Sequence, residues 1–374
     1  MARDFRETGV PLIRLAGLKA ASSILSGCNY LDPEMVDTKW SKFRLKLGDV
    51  LLSTSASLGE VATVGPEGVG AVPYTGIIGF RPRDSRIDAR FIPLMLTCPE
   101  FKNQIQAMGV GSVMNHFGPS HLRRMTVSFP RLGKQAAIAE VLGALDDKIA
   151  ANNRAAQLSR ELSVALFRRA AADGDLRSIN ELAELVSRGV SPKYSEDGLT
   201  VLNQKCIRDQ SVSLAPARTM TPLRSRLDRI LRKHDVLVNS TGQGTLGRVA
   251  RWTHDCEATV DSHITIVRFD PAEVDAVCAG FAVLGLESQI ESLAEGSTGQ
   301  TELRRDLLSS LEVRIPTRAA QADLGLTLAQ FDSMELALAA ENAQLAKTHD
   351  ELLPLLMSGK LRVKDAEQIV EEIV

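Results

Sequence analysis

The chain repeats itself, and this constrains its fold more than any other feature. Leu45-Lys46-Leu47-Gly48-Asp49-Val50-Leu51-Leu52 returns as Leu231-Arg232-Lys233-His234-Asp235-Val236-Leu237-Val238, a period of about 186 residues in a chain of 374. Each copy runs into a loop rich in Ser, Thr and Gly, residues 53–57 in the first and 239–245 in the second, and then into L-G-x-V-A at 58–62 and 246–250. Further matches keep the same order: 9–13 with 198–202, Leu122-Arg123-Arg124 with Leu303-Arg304-Arg305, 127–130 with 313–316, and Gln135 with Gln321.

Within each copy, the first ~130 residues mix short apolar runs with loops, as an α+β domain of ordinary size does. Asp49–Leu52, Asp235–Val238 and 264–269 read as strands, and 91–108 and 276–294 as helices. Pro130 and Pro316 then mark the onset of two long stretches of Ala, Leu, Glu, Gln, Lys and Arg, strong helix formers, from Gln135 to about Arg169 and from Gln321 to about Leu356. Leu324, Phe331, Leu338, Leu345 and Leu352 recur every seven residues. Ile138, Leu145, Asn152, Ser159 and Leu166 do so more weakly, supported by Leu142 and Ile149. A seven-residue apolar repeat favours a coiled coil, in which Asn152 and Asn342 are candidates to fix register; two separate core helices are the plainer alternative. At 1.5 Å per residue such helices span roughly 50 Å. The expected layout is a first domain at 1–133, a long helix and linker at 134–178, a second domain at 179–316, and a second long helix with a tail at 317–374. The two helices are expected to run antiparallel and to separate the domains.

Composition excludes several classes. Aromatics are 4% of the chain, too few for a base-stacking platform. No apolar run is long enough to cross a membrane, and 1–10 lacks the apolar core of a signal peptide, so a cytoplasmic protein is expected. The five cysteines show no C-x-x-C pair, which argues against structural zinc or a disulfide framework. Net charge is −2, but residues 1–133 carry 16 basic and 11 acidic side chains, whereas 317–374 carry 5 and 10. There is no G-x-x-x-x-G-K-[ST] and no N-P-P-Y or D-P-P-Y tetrapeptide. Gly242-Gln243-Gly244-Thr245-Leu246-Gly247 fits G-x-G-x-x-G, but the following Arg248–Thr253 reads as a strand. A dinucleotide site needs a helix there.

Phe129-Pro130-Arg131-Leu132-Gly133-Lys134-Gln135, together with Gly111-Ser112, Gly296-Ser297 and 356–363, occurs in the order found in type I restriction–modification specificity subunits, and nearly the whole chain resembles that family. Arg131 and Lys134 depart from the family's usual second proline and acid. Phe5 aligns with Tyr194, so nothing in the first half matches 179–193. The resemblance implies two target recognition domains, each reading half of a bipartite site on double-stranded DNA. It also implies helices that dock two methyltransferase subunits. Those subunits, and not this chain, would bind S-adenosylmethionine and methylate adenine; a restriction/translocase subunit is a further partner the family allows. A non-DNA coiled-coil adaptor with duplicated ligand domains is the alternative.

Small side chains in the loops would let backbone N–H groups reach phosphates, while hydroxyls and amides bond base edges. The loop candidates are Ser53, Ser55 and Ser57, and Asn239, Thr241, Gln243 and Thr245. A tight strand–strand turn favours the same residues. Basic candidates are Arg81, Arg83, Lys205 and Arg208, and the run of Arg224, Arg226, Arg229, Arg232 and Lys233. Arg123-Arg124 and Arg304-Arg305 recur, with Asn115-His116 and Gln300-Thr301 just before them. Finally, 359–362 resembles 174–177, so the tail at 364–374 is a candidate to complete the first domain where 179–186 completes the second; a frayed terminal helix, with the first domain shortened by a misassigned start, is the plainer alternative.

Overall fold

A computed structural model describes residues 5–19, 23–108, 116–127, 129–242, 244–293 and 301–374. The chain runs through strands β1 (Val50–Ser53), β2 (Val61–Thr63) and β3 (Ile77–Phe80), then the long helix α1 (Leu132–Ala171) and a single turn, α2 (Ile179–Leu182). Strands β4 (Ala183–Arg188), β5 (Val236–Asn239), β6 (Val249–Arg251) and β7 (Ile264–Phe269) follow, and then helices α3 (Arg318–Ser358) and α4 (Val363–Glu371). It divides into two compact units, Met1–Arg154 with Ala339–Val374, and Ala155–Leu338, so each long helix contributes to both. The expected helices at 91–108 and 276–294 each form as two pieces, Phe91–Thr97 with Pro99–Met108 and Ala276–Leu284 with Glu287–Ser292.

In the first unit β1 is the middle of a β2-β1-β3 sheet, antiparallel on both sides. All four of its residues are buried. Val50 and Leu52 join a cluster with Phe91, Leu94 and Leu142, while Leu51 faces Ile13, Leu45 and Val64 on the other side. A strand covered on both faces reads as a continuous apolar run, and this one does. The second unit repeats the arrangement: Val236 and Val238 pack with Val277 and Phe281, and Leu237 packs with Ile207 and Trp252. Among the described residues its sheet has one more strand, in the order β6-β5-β7-β4.

The repeat extends to side-chain bonds. Gln135 donates to the Pro130 carbonyl at 2.8 Å and accepts from the Asp88 amide at 2.9 Å. Gln321 donates to Pro316 at 2.8 Å and accepts from the Asp275 amide at 2.8 Å. Gly9 and Gly198 hold φ of 139° and 143°, and a Cβ on either would press on a carbonyl oxygen of the neighbouring strand, Leu31 or Met220, at 2.3 and 2.2 Å.

Helices α1 and α3 pack together. Along α1, Ile138, Leu142, Leu145, Asn152, Ala156, Ser159, Ser163 and Phe167 are buried, a three–four spacing sustained through most of the helix. Leu345 and Leu352 are buried on α3, whereas Ile149, Leu324, Phe331 and Leu338 are half-buried. Asn152 donates to the Asn342 carboxamide at 3.0 Å and to Glu341 at 2.9 Å, and Asn342 donates to Asn153 at 2.9 Å, so the expected asparagine contact forms. The pairing is antiparallel, since Asp146 lies 4.0 Å from His349 while Asn152, further along α1, meets Glu341, earlier on α3.

The tail forms α4, not a strand. Its Ala366 and Val370 enter the cluster of Val50, Leu52 and Phe91, as Ile179 and Leu182 of α2 enter the cluster of Val236 and Val238. The tail therefore supplies the helical part of 179–186 to the first unit, and the strand part has no counterpart there among the described residues.

Burial lifts the carboxyl of Glu335 on α3 to about 7, outweighing the attraction of Arg160, whose Nε lies 2.9 Å away. The folded chain thus favours the protonated form. The stability this contributes is present below the ordinary value of 4.5 and is lost as pH rises through about 7. Urea midpoints measured from pH 5 to pH 8 should fall in the parent, and Glu335→Gln should flatten that fall.

Candidate nucleic-acid interface

An ion pair built on a buried carboxylate roots each polar loop. Asp49, just before β1, accepts from Arg81 Nε at 2.7 Å and from the Lys46 amide at 2.7 Å, and Arg81 also donates to the Arg44 carbonyl at 3.2 Å. Asp235, just before β5, accepts from Arg268 Nε at 2.9 Å and from the Arg232 amide at 2.8 Å, and Arg268 donates to the Ile230 carbonyl at 2.8 Å. Although burial opposes ionisation, the hydrogen bond from Arg81 holds the Asp49 carboxyl below its usual range. Deeper burial pushes Asp235 up. Arg81 is therefore committed to the scaffold, which corrects its reading as a DNA contact.

Beyond β1 and β5 the two loops share one main-chain frame. The Thr54 amide donates to the Gly76 carbonyl at 2.7 Å, and the Phe117 amide donates to the Thr54 carbonyl at 3.0 Å. In the second unit the Ser240 amide donates to His263 at 2.9 Å, and the Leu303 amide to Ser240 at 2.8 Å. Ser55 bridges His116 and Thr241 bridges Glu302, both antiparallel. The loop after the strand and the segment before the arginine doublet, far apart in sequence, thus lie side by side in each unit. The base of each loop closes through Gly59 donating to Ser53 and Gly247 donating to Asn239, at 3.0 and 2.8 Å.

The side chains sort by depth. Ser53 is fully buried: its hydroxyl donates to the Ser57 carbonyl and accepts from the Glu60 amide. Asn239 is equally buried and donates to the carbonyls of Gln204 and Thr245. Both hold their loops shut and face away from solvent, a correction to their candidacy. Ser55 and Ser57 are half-buried, and the Lys19 ammonium reaches the Ser57 hydroxyl at 2.5 Å. Thr241 receives a hydrogen bond from Gln204 at 2.8 Å and shares one with His263 Nδ1 at 2.7 Å, and Thr245 donates to Gln204 at 3.4 Å. Lys19, Gln204 and His263 carry no motif of their own, so the sequence offered no signal for them. Asn115, Gln243, Gln300, Ser112 and Gly296 lie outside the described residues.

The arginine doublets do not correspond as their sequence suggests. Gly118 caps the short helix Pro119–Leu122, and Arg304 caps Arg305–Ser309. Arg304 and Arg305 open their helix, whereas Arg123 and Arg124 follow theirs, so Leu-Arg-Arg recurs by composition and not by position. All four arginines are exposed, and Arg304 pairs with Asp306. Thr301 is half-buried. Arg188 donates to Glu302 at 2.8 Å and to the Leu303 carbonyl at 2.9 Å, beside a polar concavity of about 610 Å³ that Arg304 and Arg305 also line. Of the basic run, Arg229 pairs with Asp228, Arg232 with Glu184 and Lys233 with Asp255, at 2.5, 2.8 and 2.8 Å. Arg224 and Arg226 stay exposed. Arg83 and Lys205 are exposed too, and Arg208, at the end of a two-residue hairpin turn, lies 3.6 Å from Asp209. Gly242, Gly244 and Gly247 all have positive φ and lead into β6, a strand, as their sequence context indicates.

Residues 36–159 match the type I restriction modification DNA specificity domain. A chain from Methanocaldococcus jannaschii described as the type I restriction enzyme MjaX specificity subunit is 19% identical over 95% of this chain and 88% of its own length. The crystal structure of a type I restriction–modification S subunit from M. genitalium matches with a TM-score of 0.55 at 15% identity, covering 88% of this chain and 86% of that one, a likeness of fold. No helix among the described residues is long and apolar enough to cross a membrane.

Gln204→Ala should remove the side-chain bonds to Thr241 and Thr245 and loosen the 239–245 loop. Amide exchange at 241–247 should speed up, while global stability changes by about 1 kcal/mol.

Proposed function

We propose that the two units are two readers of double-stranded DNA, each recognising one half of a bipartite site. One observation carries this: a main-chain frame repeated in both units presents different polar side chains. The first frame offers Ser55, Ser57, Lys19 and His116, and the second offers Thr241, Thr245, Gln204, His263 and Glu302. An identical scaffold with unlike hydrogen-bonding groups suits recognition of two unlike half-sites. The exposed Arg83, Arg123, Arg124, Lys205, Arg208, Arg224, Arg226, Arg304 and Arg305 supply phosphate contacts and candidate base contacts. Helices α1 and α3 set the unread spacer. They also dock two methyltransferase subunits, which bring S-adenosylmethionine and the adenine-methylating chemistry, and a restriction/translocase subunit joins the assembly. The chain itself binds no cofactor and works on DNA in the cytoplasm.

Isolated chain should show no methyl transfer, and methylation should appear on adding the partner methyltransferase. Log affinity for the target duplex should fall linearly with log salt concentration, because phosphate contacts release counterions. A salt-independent affinity, or none, would favour the adaptor reading. Ser57→Ala and Gln204→Ala should each relax one half-site of the methylated motif, and not the same one, by about tenfold in discrimination. Methylome sequencing reads this directly; equal loss at both halves would indicate damage to folding or phosphate binding.

A further inference from the structure

Beside the polar loop of the second unit, three arginines and three carboxylates line one concavity of about 610 Å³. It runs along β4 to the short helix Arg305–Ser309. Arg188, the last residue of β4, is largely enclosed, its side chain 22% exposed. Its guanidinium donates to the Ser262 carbonyl at 3.3 Å, to the Leu303 carbonyl at 2.9 Å and to Glu302 at 2.8 Å. The two carbonyls belong to the frame of the loop itself. Ser262 precedes His263, which bonds Thr241, and the Leu303 amide donates to Ser240. The frame therefore fixes Arg188 at the edge of the polar loop. Its carboxylate partner is less confined, since the Glu302 side chain is 62% exposed.

The other charges of the concavity differ in their partners. Arg304 pairs with Asp306, both more than half exposed, and the hydrogen bond from Arg304 holds the Asp306 carboxyl below its ordinary range. Glu184 is taken by Arg232 at 2.8 Å. Arg305 is exposed and makes no ion pair among the described residues. A carboxylate presents two anionic oxygens to a guanidinium fork, as a phosphodiester does. Glu302 and Asp306 therefore occupy two of the arginines in the manner of a phosphate. Residues 179–316 carry 16 basic and 19 acidic side chains, so the attraction of this unit for a polyanion depends on where its arginines gather.

We propose, on the reading of the second unit as a DNA reader, that this concavity is a phosphodiester site for the DNA backbone. Phosphates displace Glu302 from Arg188 and Asp306 from Arg304, and they meet Arg305 directly. The displaced carboxylates turn to solvent, as their exposure permits. Displacing a carboxylate costs the same whatever the sequence of the duplex. The two acids therefore lower affinity for all DNA alike and leave discrimination to Thr241, Gln204 and their neighbours in the loop frame.

Anisotropy of a labelled random-sequence duplex, titrated with the full chain over a series of salt concentrations, tests this. Arg305→Ala should weaken binding and flatten the slope of log affinity against log salt by about one. Glu302→Gln should tighten binding about threefold, the size of an exposed ion pair that no longer has to break. In an Arg188→Gln background the same substitution should have no effect, because no pair is left to break. Asp306→Asn, with and without Arg304→Gln, repeats the cycle on exposed side chains and keeps the test decisive should Arg188→Gln disturb the loop. Methylome sequencing should return the parent motif from every variant. Tightening of equal size with and without the arginine partner would reduce the acids to general charge and overturn the proposal. So would an unchanged salt slope in Arg305→Ala, or a half-site altered by it, since Arg305 would then read bases. Loss of methyltransferase association with DNA affinity intact would assign the arginines to a protein contact and overturn it as well. A parent chain that binds no duplex would remove the DNA reading itself, whereas binding that ignores these substitutions would remove only the phosphodiester site.

Discussion

A buried carboxylate stands at the root of each unit. Asp49 and Asp235 are 4% and 2% exposed, and an ionised group so enclosed is tolerated only with a charge partner and full hydrogen bonding. Arg81 and Arg268 supply both, and in doing so they tie the end of one strand to the turn that starts another. The tie fixes register. A slip of one residue between β1 and β3 would send Leu51 to the side of Val50 and Leu52 and break two cores at once. The polar loops leave from the far end of these strands, so their placement depends on a pair of charges they never touch.

From this root the two units share a main-chain frame and differ in the side chains along it. Backbone bonds recur at the same spacing, from Thr54 and Ser240 to Phe117 and Leu303, while the side chains along the frame differ. Covering also differs. The second unit covers β7 with β4 and buries Arg268, whereas among the described residues of the first β3 pairs with β1 alone and a helix from residues 363–371 packs on the core. The same ion pair consequently sits in two environments, and the ionisation of its carboxylate shifts in opposite directions.

The paired helices show a comparable economy. Their seam is apolar where it meets a unit's core, at Leu142, Leu145, Leu352 and Leu356, and polar between, at Asn152, Ser159 and Ser163. A carboxamide pair that bonds in a single alignment opposes sliding, at some cost in stability, and this suits a helix pair shared by two units.

The sequence by itself determined the duplication, the two long helices and their seam, and the glutamine that clips each helix to its unit. These features are periodic or local, and a recurring pattern of apolar residues needs no knowledge of distant neighbours. It also showed that the glycine-rich turn at 242–247 leads to a strand. Only the tertiary structure decided which polar residues face outward. Ser53 and Asn239 look like their loop neighbours in sequence, yet they point inward because the last strand residue alternates toward the core. Arg81 looked available because Asp49 lies 32 residues away, and no local pattern encodes that meeting. The arginine doublets matched in composition while occupying opposite ends of equivalent helices, since an alignment of short strings does not see which residue caps a helix. Lys19, Gln204 and His263 reached the interface only through long-range folding, which brings together side chains that sequence spacing keeps apart.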